Sequence, residues 1–143
     1  MLYRTRGFWL ICLSPIISLL LMGIFRAAWP ATRSYLTPII QHTELNLSII
    51  AIQLVGLALY CIGRRRGETK SKRFPFILGW SGVLVVWGTV EIAAAAFFYY
   101  GELLPWSLEP GVRALTIWDH LQHLTWGLKG SLWIVSGLTF LKF

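Results

Sequence analysis

The chain has 143 residues, 56% of them hydrophobic and only 13% charged, with a mean hydropathy of +0.63. A soluble domain carries about 25% charged residues, so charge this sparse excludes an ordinary water-soluble domain and predicts one all-α domain, residues 1–143, set in lipid. The formal net charge of +7 lies beside apolar runs rather than along an aromatic-lined groove, which assigns it to membrane topology and argues against a nucleic-acid partner.

The first apolar run follows Met-Leu-Tyr-Arg-Thr-Arg, a start similar to a secretory signal. The run from Phe8 to Trp29 is longer than a signal core, so a retained span over 7–29 is expected, with Arg26 snorkelling at its far end. Pro15 removes an N–H inside this span, and neighbouring helices are expected to satisfy the carbonyl it frees. Ser14 and Ser18 share a face and predict helix–helix contact. Cys12 and Cys61 form no C-x-x-C pair or metal-finger spacing and read as small packing residues.

Thr37-Pro38 is a helix start, Thr as N-cap and Pro at the first helical position, opening a span over 38–63. That length exceeds the roughly 30 Å hydrocarbon core, so Gln41, His42 and Glu44 are expected above the lipid. His42, Asn46, Ile49, Gln53, Gly56 and Tyr60 recur at helical spacing and form one inward stripe. The segment 64–73 then carries Arg64, Arg65, Arg66, Lys70, Lys72 and Arg73 against the single acid Glu68, the strongest cytoplasmic marker in the chain. The third span is expected over 76–100, closing on Phe97-Phe-Tyr-Tyr, and the fourth over 117–140.

Basic residues number nine on the side of the termini and the central segment and three (Arg26, Arg33, Arg113) on the other, with Lys129 inside the fourth span. This bias predicts a four-helix membrane bundle with both termini cytoplasmic, placed in a bacterial inner membrane with membrane lipids as its surroundings.

Two charges fall inside spans. Glu91 lies nine residues below Tyr100, about 14 Å deep, and Lys129 twelve below Ile117, about 18 Å deep. Burying either alone is expensive, and consecutive spans are antiparallel neighbours, so a Glu91–Lys129 ion pair is predicted. On the fourth span Asp119, Gln122, His123, Trp126, Lys129, Gly130, Trp133, Ser136 and Gly137 share one face, opposite Leu121, Leu124, Leu128, Leu132 and Val135. The first face is expected to meet protein and the second lipid; His120 falls at the edge.

Asp119 and His123 stand four apart, so both can reach one ion. His42, Glu44 or Glu91 could complete a set suited to copper, iron or zinc. Haem fits less well, because His42 and His123 sit at different depths. G-x-S-x-G, P-loop, G-x-G-x-x-G and H-E-x-x-H signatures are absent from the sequence, so catalysis by this chain alone has no sequence support.

Two functions are therefore expected. The first is a small non-catalytic accessory or assembly subunit, associated with other membrane-protein subunits in a larger respiratory, photosynthetic or oxidase-like complex. The alternative is a metal- or cofactor-binding membrane protein with its site near the outer face, built from His123, Asp119, His42 and Glu91.

Overall fold

The computed structural model describes residues 2–28, 36–68, 74–103 and 116–142. These are helical almost throughout: α1 (Tyr3–Ala28), α2 (Leu36–Arg65), α3 (Phe74–Phe98) prolonged by a π-helical turn (Tyr99–Leu103), and α4 (Ile117–Lys142). Trp29, Arg33, Pro105, Trp106, Pro110 and Arg113 lie outside the described residues, as do Lys70, Lys72 and Arg73 of the basic segment. Arg64, Arg65 and Arg66 end α2 and its following turn, all exposed.

Three helices, α1, α2 and α3, are long and apolar enough to cross a membrane. α4 is as long as α1 but is interrupted by Asp119, His120, Gln122, His123 and Lys129. Packing explains the difference. α4 lies centrally, packed extensively on α3 and on α2, and touched by α1 at several side chains. Asp119, Lys129, Gly130, Trp133, Ser136 and Gly137 are buried, whereas Leu124, Leu128 and Val135 are exposed. A helix covered on several sides can carry polar side chains that a lipid-facing helix cannot.

Consecutive helices run antiparallel and pack in two pairs, each around a close glycine seam. Between α3 and α4, Gly130 and Gly137 recur every seven residues opposite Ser81 and Gly88. A Cβ on Gly130 would lie 2.8 Å from the Gly88 carbonyl oxygen, and one on Gly137 2.7 Å from that of Ser81. Between α1 and α2, Gly7 faces Gly56, where a Cβ would lie 2.6 Å from the Ile11 side chain. Small residues let backbones approach where dispersion and polar contacts must hold helices together. Between the pairs, Phe8, Tyr60 and Phe140 stack near the chain termini, with ring centroids 4.9 Å and 4.7 Å from Phe140.

The same end shows how local chemistry fixes tertiary structure. α2 stops at a Schellman turn: Gly67, with φ of 77°, lets the Glu68 N–H reach the Gly63 carbonyl at 3.1 Å and the Gly67 N–H reach Arg64 at 3.0 Å. The turn aims Glu68 at the start of α1, which has no acidic residue in its own first turn. Its carboxylate accepts the N–H groups of Tyr3 (3.2 Å) and Arg4 (2.8 Å), and its carbonyl accepts from the Arg4 guanidinium at 2.7 Å. Glu68 thus caps a helix remote from it in sequence, satisfying two of the donors every helix N-terminus leaves open.

Gly88→Leu is expected to destabilise the purified protein by about 1–3 kcal/mol, the usual cost of overpacking. Gly23→Leu, where an added Cβ meets nothing within 4 Å, is expected to leave thermal unfolding in detergent within about 0.5 kcal/mol of the parent.

Candidate functional site

α4 places Lys129 beside Gly130, the point of closest approach to α3, and the bundle closes over it completely: the side chain is 0% exposed. Its ammonium lies 3.9 Å from Glu91 Oε2 on α3 and 3.4 Å from Ser18 Oγ on α1, and sits over the Trp133 ring at 5.5 Å. Its carbonyl accepts from Gln53 Nε2 of α2 at 3.0 Å. One residue therefore joins all four helices. Glu91 Oε2 also accepts a short hydrogen bond from Trp126 Nε1, so the carboxylate meets both a cation and a neutral donor.

Pro15 is accommodated differently from the sequence expectation. The carbonyl it frees is that of Ile11, and it is satisfied within α1 by Ser14 Oγ at 2.7 Å. Ser14 then accepts from Trp133 Nε1 at 2.8 Å. Ser14 is the residue just before the proline, and its hydroxyl reaches back one turn without needing another helix. The freed carbonyl thus becomes part of the link between α1 and α4.

A second polar group occupies the end away from the chain termini. Gln122 Nε2 donates to His42 Nδ1 at 2.7 Å, and Asn46 Nδ2 donates to the Gln122 carbonyl (3.3 Å) and to Thr125 Oγ1 (3.2 Å). An amide nitrogen only donates, so His42 Nδ1 is the acceptor in this contact. His42 is buried and meets the Trp126 ring edge-on at 5.8 Å. Asn46 Oδ1, Gln53 Oε1 and Trp87 Nε1 are buried with no hydrogen-bond partner among the described residues.

Asp119 is drawn into the start of α4. Its carboxylate accepts from the Thr116 N–H (2.7 Å) and hydroxyl (3.1 Å), while its own N–H donates to the Thr116 carbonyl. This is the return half of a capping box, the acidic side chain reaching back to the N–H three residues before it, and its signal, Thr116-x-x-Asp119 before an apolar run, stands in the sequence. His123 Nδ1 meets the Asp119 carbonyl at 2.8 Å rather than the carboxylate. A carbonyl only accepts, so in the neutral imidazole Nδ1 carries the proton and Nε2 the lone pair.

The four residues considered for a metal are thus distributed. Glu91 joins Lys129 and Trp126, His42 joins Gln122, Asp119 joins Thr116, and His123 turns toward α3. Among the described residues no three His, Cys, Asp or Glu side chains come together at metal-ligand distance. Glu44 is exposed on α2. His123, His120 and Tyr99 instead adjoin one another, with Tyr99 5.9 Å from each histidine ring. They border a groove of about 730 Å³ between α3 and α4.

No known protein family matches this chain, and no curated protein or solved structure is detectably similar to it.

Breaking a buried ion pair on one side leaves an uncompensated charge, at about 3–5 kcal/mol. Glu91→Leu, which leaves the Lys129 ammonium behind, is expected to approach that loss in chemical unfolding, and Glu91→Leu with Lys129→Leu to recover at least half of it. Equal and additive losses would show that the two side chains do not interact.

Proposed function

We propose that the chain is a four-span membrane protein, with both termini and residues 64–73 cytoplasmic, acting as a non-catalytic accessory or assembly subunit of a larger membrane complex. A bacterial inner membrane accords with the basic bias. α4 is the fourth span, its polar face turned inward and its leucines outward.

The observation that supports a subunit role best is the one-sided packing of α3. This helix packs chiefly on α4 and is the least covered of the three apolar helices. Its other side presents Gly79, Gly82, Val83, Val86 and Val90, at helical spacing and all exposed, with nothing within 4 Å of a Cβ built on either glycine. Glycine and β-branched residues on a smooth face are what close helix–helix packing in lipid uses. The buried polar side chains, meanwhile, are engaged in joining helices: Lys129 with Glu91 and Ser18, Trp133 with Ser14, Asn46 with Thr125. That pattern suits a scaffold better than a catalyst.

A metal-centred function draws less support, because Asp119, His42 and Glu91 each have a separate protein partner. Elemental analysis of the purified chain decides it: stoichiometric copper, iron or zinc, lost on His123→Ala, would favour that alternative.

Purification from native membranes under mild detergent is expected to recover a defined partner. Gly82→Leu, which fills open space, is expected to lose the partner while leaving unfolding unchanged. A monodisperse monomer, or a partner retained by Gly82→Leu, would count against the subunit role. For topology, alkaline phosphatase fused after Phe143 is expected to be inactive and its insertion after Glu109 active.

A further inference from the structure

The groove between α3 and α4 has a chemical gradient along its length. One end carries Tyr99, Tyr100, His120 and His123; the rest is apolar or small, including Ala95, Leu124, Gly127 and Leu128. From His123 to Ser131, both at its wall, is eight residues of α4, about 12 Å. The volume of about 730 Å³ falls within the range of small-molecule sites, roughly 300–1,000 Å³. α3, its π-helical turn and α4 supply all of the lining.

Three features restrict what fits. No Asp, Glu, Lys or Arg lines the groove among the described residues. A phosphate headgroup would need a cation or a cluster of N–H donors, and a quaternary ammonium, though aromatic faces attract one, has no hydrogen to give the His123 acceptor, so the occupant's head is a neutral donor. His123 is held with Nδ1–H on the Asp119 carbonyl, and Nε2 has no hydrogen-bond partner among the described residues. In the neutral imidazole Nε2 is an acceptor, and an acceptor calls for a donor, which a ring hydroxyl supplies without charge. The four rings at the polar end offer faces and edges for an aromatic head, while Gly127 leaves open space where a chain can lie: a Cβ there meets nothing within 4 Å.

We infer that this groove binds a lipid-soluble hydroquinone, its ring hydroxyl donating to His123 Nε2 and its apolar tail lying over Gly127 toward Leu128. The inference rests on the membrane reading above, which puts such a lipid within reach, and does not depend on a protein partner. α4 serves two purposes through opposite edges. Lys129 turns inward to fix the bundle, and two residues earlier Gly127 leaves a notch on the outer wall.

The experiment uses the full chain in phosphatidylcholine nanodiscs, after carbonate extraction has shown that it is integral to the membrane. Failure at extraction would refute the membrane reading; failure at the binding step alone would refute the inference. Decylubiquinol, the reduced probe, is titrated while tryptophan fluorescence is followed. Saturable quenching is expected, because Trp126 lies 6.1 Å from the His123 ring. His123→Ala removes one hydrogen bond and is expected to weaken binding about tenfold. Gly127→Leu fills the tail channel and is expected to weaken it at least about tenfold, with thermal unfolding unchanged. Excess phosphatidylglycerol is expected not to displace the probe. Non-saturable quenching, affinity unaltered by Gly127→Leu or by His123→Ala, or displacement by the phospholipid would each overturn the assignment.

Discussion

An ammonium group with no access to solvent must find its counter-charge and its hydrogen bonds inside the protein, and in this chain that requirement organises the bundle. Lys129 has no exposed surface and lies at the meeting point of α1, α3 and α4, with α2 bonded to its carbonyl. Moving any of the four helices away leaves a charge, a carboxylate or an amide unsatisfied in an apolar interior, where such a loss is more damaging than the pair itself is stabilising. The polar node therefore acts on specificity: it selects one mutual register from the many that apolar helices would otherwise permit.

Glycine packing and the polar node depend on one another. Gly88 and Gly130 allow the α3 and α4 backbones to approach, and that approach brings Glu91 within reach of a lysine one residue from Gly130. Without the short interaxial distance the ion pair could not form; without the pair the glycine seam would have little to prevent sliding by one turn. α1 is locked at its start and at its midpoint by separate devices. Glu68 caps its start, and the Ser14–Trp133 bond anchors the turn around Pro15. The consequence is a structure whose buried polar side chains largely engage one another, while α3's smooth face and the α3–α4 groove stay open.

Much of this is visible in the sequence where periodicity governs. The inward faces of α2 and α4 follow from helical spacing, and every member of the α2 stripe from His42 to Tyr60 is buried. Depth counting puts Glu91 and Lys129 at similar levels. Sequence reasoning falls short where a side chain has two local options. Asp119 is spaced to join His123, but Thr116 lies three residues before it and the helix start claims the carboxylate. Ser14 reads as a contact residue, whereas it first repairs its own helix. Glu68 reads as a lone acid among bases, and only the Schellman turn reveals that it faces α1. Hydropathy alone separates α4 from the other three helices, because average polarity does not record which face carries it. The groove is legible only in part: Ala93 to Ala95 are small residues opposite His123, which permit close packing or leave space for a ligand, but the opening itself is a space between two helices, lined from both.

The central claim is that the Lys129 side chain points inward to Glu91 and Ser18. The most direct measurement is magic-angle-spinning NMR of the full chain in lipid bilayers, with 15N in lysine and 13C in glutamate and serine. The account predicts strong dipolar coupling between Lys129 Nζ and the Glu91 carboxyl carbon, consistent with the 3.9 Å Nζ–Oε2 separation, and no transfer from acyl-chain protons to Nζ. Strong transfer from lipid protons with no coupling to Glu91 would contradict it.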